Sequence, residues 1–202
     1  MTFFDSLEQR IEQSGNCICM GMDPVLDKIP LSGLSPEETI KKFYLTLLDA
    51  MDKANIYPAA IKPNSAYYEA ISVSAMQVLS DLIAEYSQRG IHVVLDAKRG
   101  DIGKSSAAYA QAAFDVFGAD SVTVSPYMGE DSVKPFSEYA AGKGVYMLLR
   151  TSNKGAQDLQ DLQMAEGDQL FYAVASKLLN WNTQDSIGAV VGATNTTEME
   201  NI

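Results

Sequence analysis

The chain has 202 residues, 47% of them hydrophobic, and a formal net charge of −11 at pH 7. That is enough apolar material for one compact domain over residues 1–202, and the acidic balance argues against nucleic acid or an anionic membrane as a general partner. No run of about 18 apolar residues occurs, and Met1-Thr2-Phe3-Phe4-Asp5 meets a charge before any apolar leader could form, so a soluble, cytoplasmic protein is expected.

Six apolar runs of β type are predicted, near 17–22, 58–62, 91–96, 120–125, 144–149 and 187–192, with helical stretches between them. The first contains Cys17 and Cys19. On a strand their Cα atoms are held roughly 6.6 Å apart, which would strain a disulfide, and one histidine, His92, in the whole chain leaves no zinc-type ligand set. Both are expected as reduced, buried small side chains. Asp23 follows this run. Ser35-Pro36-Glu37-Glu38 then combines an N-cap, a proline at the first helical position and a capping-box glutamate. The second run ends at Lys62, and Ser74-Ala75-Met76-Gln77 repeats the cap pattern more weakly.

The third run is the most informative: Val94-Leu95-Asp96-Ala97-Lys98-Arg99-Gly100-Asp101-Ile102 drives charged residues into the end of a β-branched segment. Buried charges cost free energy unless paired. On a strand Asp96 and Lys98 share a face, Arg99 faces away, and Gly100 lets the chain turn to present Asp101 nearby. His92 has the parity of Asp96 but lies about 13 Å deeper along the strand, so it is expected as a floor histidine. Later runs are followed by Ser125, by Thr151 with Ser152, and by Thr194.

Near-continuous apolar strands alternating with capped helices indicate a parallel sheet covered by helices. An open doubly wound sheet and a closed barrel both fit that description. The glycine fingerprint of dinucleotide-binding folds and the Walker pattern are missing, whereas polar groups follow almost every strand. That is how a barrel builds its site, so the expected fold is α/β, a (β/α)8 TIM barrel with about six of its eight β/α units present. A capping box at Thr197-Glu198-Met199-Glu200 opens a helix just before Ile202. Residue 202 is therefore not expected to be the natural end.

Asp96-Ala97-Lys98-Arg99-Gly100-Asp101-Ile102-Gly103-Lys104-Ser105 resembles the Asp-x-Lys-x-x-Asp-Ile-x-x-Thr signature of the orotidine 5′-phosphate decarboxylases, with Ser105 in place of threonine. Gly21-Met22-Asp23-Pro24, Ile61-Lys62-Pro63-Asn64 and Leu148-Leu149-Arg150-Thr151-Ser152-Asn153 agree in order, and the Lys-Arg-Gly-Asp-Ile form resembles the bacterial type 2 branch. The resemblance implies loss of CO2 from orotidine 5′-phosphate to give UMP in pyrimidine biosynthesis, without cofactor or metal. It implies Lys98 as the ammonium that stabilises the carbanion and protonates it, flanked by Asp96 and Asp101, with Lys62 pairing Asp96 and touching the ribose hydroxyls. Asp23 would bind the ribose and Ser152 the pyrimidine edge. Asp101, Ile102 and Ser105 would enter the site of a partner subunit, which implies a homodimer with shared active sites.

The family grips the phosphate with a glycine-rich turn after the seventh strand and an arginine after the eighth, and residues 1–202 hold neither. A chain of this length is therefore expected to bind substrate poorly or not at all. Two rivals remain: a magnesium-dependent keto-sugar-phosphate decarboxylase or aldolase of the same superfamily, and a catalytically incomplete fragment with a non-enzymatic role. The first would need an acidic metal ligand after the second strand, where this chain has Lys62.

Overall fold

A computed structural model of the chain describes residues 1–165, 167–194, 196–200 and 202. The chain opens with α1 (Phe3–Ser14), started by a capping box between Thr2 and Asp5 and ended by Gly15 at φ 67°. There follow β1 (Cys19–Met22), α2 (Pro36–Ala54), β2 (Ala60–Pro63), α3 (Ser65–Glu69), α4 (Val73–Ser87) and β3 (His92–Arg99). The second half runs α5 (Gly103–Gln111), β4 (Ser121–Val124), α6 (Glu130–Ser137), β5 (Gly144–Arg150), α7 (Leu170–Trp181), β6 (Ile187–Val191) and α8 (Thr196–Glu200).

All six predicted runs are strands, and they form one parallel sheet in the order β1-β2-β3-β4-β5-β6. Helices carry the connections, as parallel pairing requires. A doubly wound sheet would reverse its strand order partway, and this one does not. One face packs on the helices: Met22, Ile61, Val93, Leu95, Val122, Val124, Val145 and Met147 join Ile40, Leu48, Leu79 and Leu82 in a single buried core. The other face is hollow. Cys19, Lys62, Val94, Thr123, Tyr146 and Ala189, one from each strand, line a common cavity of about 370 Å³. First and last strands can share a cavity only because the sheet is curled, which makes it a half-barrel belonging to the (β/α)8 class.

The N-terminal end of the strands is closed by α1, whose Leu7 and Ile11 reach the same cavity. His92 stands there as expected: its Nε2 lies 3.2 Å from both Oγ and the carbonyl oxygen of Ser6, with the Phe3 ring edge-on to it.

Ser35 caps α2 in the predicted box with Glu38. The cap of α4 is Ser72 rather than the Ser74 pattern, its hydroxyl accepting from Ala75 N at 3.0 Å, while both serine hydroxyls donate to Glu37. Thr197 lies inside α8, whose preceding position is outside the described residues. Cys17 and Cys19 are free but exposed, contrary to expectation, because both line the open hollow face beside the edge strand β1.

Candidate active site

The site is built on an irregularity at the end of β3. Leu95 pairs with Val122, and the next ladder partner is Arg99 with Val124, so Asp96, Ala97 and Lys98 together face the single β4 residue Thr123. Such a bulge bends a strand and re-aims its side chains. Lys98 takes the left-handed backbone at φ 45°, which costs a non-glycine residue about 1–2 kcal/mol and is kept only where surrounding contacts enforce it. The turn assigned to Gly100 on sequence grounds is thus made at Lys98. Gly100 instead sits close to the loop after β4: a Cβ there would lie 3.3 Å from Ser125 Cβ and 3.5 Å from Met128 Cε.

Three groups converge on the Asp96 carboxylate. Lys98 Nζ donates to Oδ1 at 2.7 Å, Thr123 Oγ1 donates to Oδ1 at 2.9 Å, and Lys62 Nζ reaches Oδ2 at 3.1 Å across from β2. Asp96 is 5% exposed, whereas the Lys62 and Lys98 side chains are 37% and 50% exposed. Burial pushes the Asp96 carboxyl up, but the hydrogen bonds from Lys98 and Thr123 and the charge of Lys62 outweigh it and hold the group below the usual carboxylate range. The triad Lys62–Asp96–Lys98 therefore carries a net charge of +1 in a chain whose total is −11. Local positive potential is what an anionic ligand would need here.

The remaining candidates divide into two groups. Asp23, exposed directly after β1, and Ser152, exposed after β5, share the C-terminal rim of the sheet with the triad. Ser152 is pressed against the end of β6, since a Cβ on Gly192 would approach Ser152 Cβ to 3.0 Å. Asp101, Ile102 and Ser105 are not brought to the triad. The Asp101 carboxylate accepts from Ile102 N at 2.8 Å, and among the described residues it forms no ion pair with Lys98. Ile102 is 57% exposed and Ser105 is exposed in the first turn of α5. Within one chain Asp101 does not flank Lys98, because the backbone leaves the bulge directly into α5. Arg99 faces away from Lys98 as expected, bonded to Glu69 at 3.0 Å and lying 5.0 Å over the Tyr109 ring.

Sequence reasoning passed over two residues. Thr123 was signalled only by its parity with Ser121 on β4. Arg150, the last residue of β5, is 6% exposed; its guanidinium sits 3.2 Å from Asp161 and 5.6 Å over the Phe171 ring, and so pins down the excursion that begins at Thr151 and Ser152. No group of three His, Cys, Asp or Glu side chains among the described residues could hold a metal ion. No helix among them is long and apolar enough to cross a membrane.

Residues 18–202 match the family model described as orotidine 5′-phosphate decarboxylase / HUMPS family. The orotidine 5′-phosphate decarboxylase of Haloarcula marismortui is 39% identical over 204 residues, a match that spans 100% of this chain and 72% of that protein. Its counterpart in Roseiflexus sp. (strain RS-1) is 37% identical over 203 residues, with the same two coverages of 100% and 72%. Among solved structures, the OMP decarboxylase of Leishmania donovani superposes with a TM-score of 0.84 at 38% identity, covering 98% of this chain and 74% of that one.

Proposed function

The chain belongs to the orotidine 5′-phosphate decarboxylase / HUMPS family, and we infer that its reaction is the loss of CO2 from orotidine 5′-phosphate to give UMP, the last step of pyrimidine nucleotide synthesis. It is a carboxy-lyase. Breaking the bond from ring carbon C6 to the carboxylate leaves the electron pair on C6, in an orbital that cannot delocalise into the ring carbonyls. A fixed cation beside that carbon is the natural remedy, since preorganised charge costs no reorganisation during the reaction.

We assign that cation to Lys98. Its ammonium offsets the growing negative charge and then gives a proton to C6, after which solvent restores the proton on nitrogen. Asp96 holds the ammonium in place at 2.7 Å and would lie beside the departing carboxylate. Lys62 balances Asp96 and would reach the ribose hydroxyls, Asp23 would bind the ribose, and Ser152 the pyrimidine edge. Asp101, Ile102 and Ser105 are proposed to complete the site of a second subunit, in a cytoplasmic homodimer. The exposure of Ile102 and Ser105, and the net +1 of the triad that Asp101 would neutralise, support that assignment.

The observation that carries the reading is the Lys62–Asp96–Lys98 triad on the strand-end rim. In the magnesium-dependent alternative an acidic ligand stands where Lys62 does, and a cation there repels the metal. The test follows the ultraviolet absorbance of orotidine 5′-phosphate with the 202-residue chain and with Lys98→Ala. Turnover insensitive to EDTA and lost in the variant is expected. Activity abolished by EDTA would restore the magnesium reading, and an undiminished Lys98→Ala variant would remove Lys98 from its role.

A further inference from the structure

We infer that Thr123 is the positioning residue of this site: its hydroxyl fixes the left-handed turn at Lys98 and the orientation of the Asp96 carboxylate at the same time. The inference rests on the reading of Lys98 as the proton donor.

The bulge creates the need. Three residues of β3 stand opposite one residue of β4, so the ordinary ladder offers the backbone N–H of Lys98 no carbonyl. Thr123 Oγ1 accepts that N–H at 2.9 Å. The same oxygen donates to Asp96 Oδ1 at 2.9 Å, and Oδ1 also receives Lys98 Nζ at 2.7 Å. The polarity of this ring is forced. An amide N–H only donates and an ionised carboxylate only accepts, so the hydroxyl proton must point at Asp96.

Both ends of Lys98 are thus tied to Thr123, the backbone directly and the ammonium through Asp96. Thr123 is 4% exposed, so its hydroxyl makes these bonds away from bulk solvent. Lys98 itself is half exposed and in unfavourable backbone geometry, so little else holds it at φ 45°. The charged groups around Asp96 are Lys62 on β2 and Lys98 on β3; Thr123 is the neutral contribution of β4. Valine matches threonine in shape but has no hydroxyl, which makes position 123 a chemical rather than a packing requirement.

The experiment compares wild type, Thr123→Val and Thr123→Ser in two measurements. The first is steady-state turnover of orotidine 5′-phosphate. Thr123→Val is expected to lower kcat about 10- to 100-fold, the kinetic equivalent of one or two buried hydrogen bonds, with KM within about 3-fold of wild type, while Thr123→Ser recovers most of the loss. The second needs no substrate: the Asp96 carboxyl is titrated by carbon-13 NMR, and its midpoint is expected to rise in Thr123→Val but not in Thr123→Ser. A purely structural role would lower the yield of folded protein without moving that midpoint. Thr123→Ala removes the hydroxyl with less bulk and gives the same comparison should Thr123→Val fail to fold. An unchanged midpoint and kcat in the hydroxyl-less variants would overturn the inference. Wild type that does not turn over orotidine 5′-phosphate would sink the functional reading instead, and the NMR arm would still decide the role of Thr123.

Discussion

Lys98 and Asp96 are ion-paired at 2.7 Å although they are two residues apart on one strand, and the pair exists because Lys98 is the residue of β3 in left-handed backbone, at φ 45°. In a regular strand, residues two apart point the same way from Cα atoms roughly 6.6 Å distant. The bulge opposite Thr123 folds the ammonium back onto the carboxylate, while Lys62 approaches the other carboxylate oxygen from β2.

Replacing Lys98 by alanine removes both the proposed cation and the proposed proton donor. The kcat is expected to fall by at least about 1,000-fold, the combined scale of one electrostatic and one acid–base contribution. Lys98→Arg keeps the charge but holds its proton too tightly to transfer it, so it is not expected to restore the rate. Near-normal turnover by either variant would contradict the assignment.

The Asp96 carboxyl is held below its ordinary value, so the folded protein binds fewer protons there than the unfolded chain. Its stabilising contribution is therefore complete above the unfolded value near 3.9 and is lost as pH falls through the lower folded value. Urea unfolding at pH 7 should find wild type more stable than Asp96→Asn by about 1–3 kcal/mol, the scale of hydrogen bonds to a charged group, with the gap closing below about pH 4. A gap independent of pH would mean that the carboxylate charge contributes nothing.

If Asp101 serves the neighbouring subunit, Lys98→Ala and Asp101→Ala damage different chains of the same site. Each variant alone should be inactive. After subunit exchange, half of the dimers are mixed and each has one intact site, so about a quarter of wild-type activity should return. No recovery, with exchange demonstrated by native mass spectrometry, would place Asp101 outside a shared site.

At the other end of the sheet, a Cβ on Gly144 would lie 2.5 Å from the Phe3 ring, which is 1% exposed and edge-on to His92 and Tyr146. Gly144→Ala should therefore displace α1 and destabilise the protein by about 1–3 kcal/mol, read as a lower midpoint in thermal unfolding. Adding Phe3→Leu should recover part of the loss. A Gly144→Ala variant as stable as wild type would show that α1 yields without cost.

Local chemistry alone marked the six strands, because each is a short apolar run set off by more polar, helix-forming stretches. It marked the cap at Ser35, because a capping box is complete within four residues. The Asp96–Lys98 site was legible too, since charges at the end of a β-branched segment demand partners. Tertiary structure decided what depends on neighbouring strands. Strand register set the bulge at 96–98, moved the turn from Gly100 to Lys98 and brought Thr123 under both charged groups, none of which follows from alternation along β3. The hollow face beside the edge strand β1 exposed Cys17 and Cys19, which composition alone would bury. Asp101 sits close to Lys98 in sequence, yet the chain turns into α5 and leaves it outside the triad. Side-chain periodicity is a property of one segment, whereas ion pairs and hydrogen bonds between strands exist only after register and curl are set.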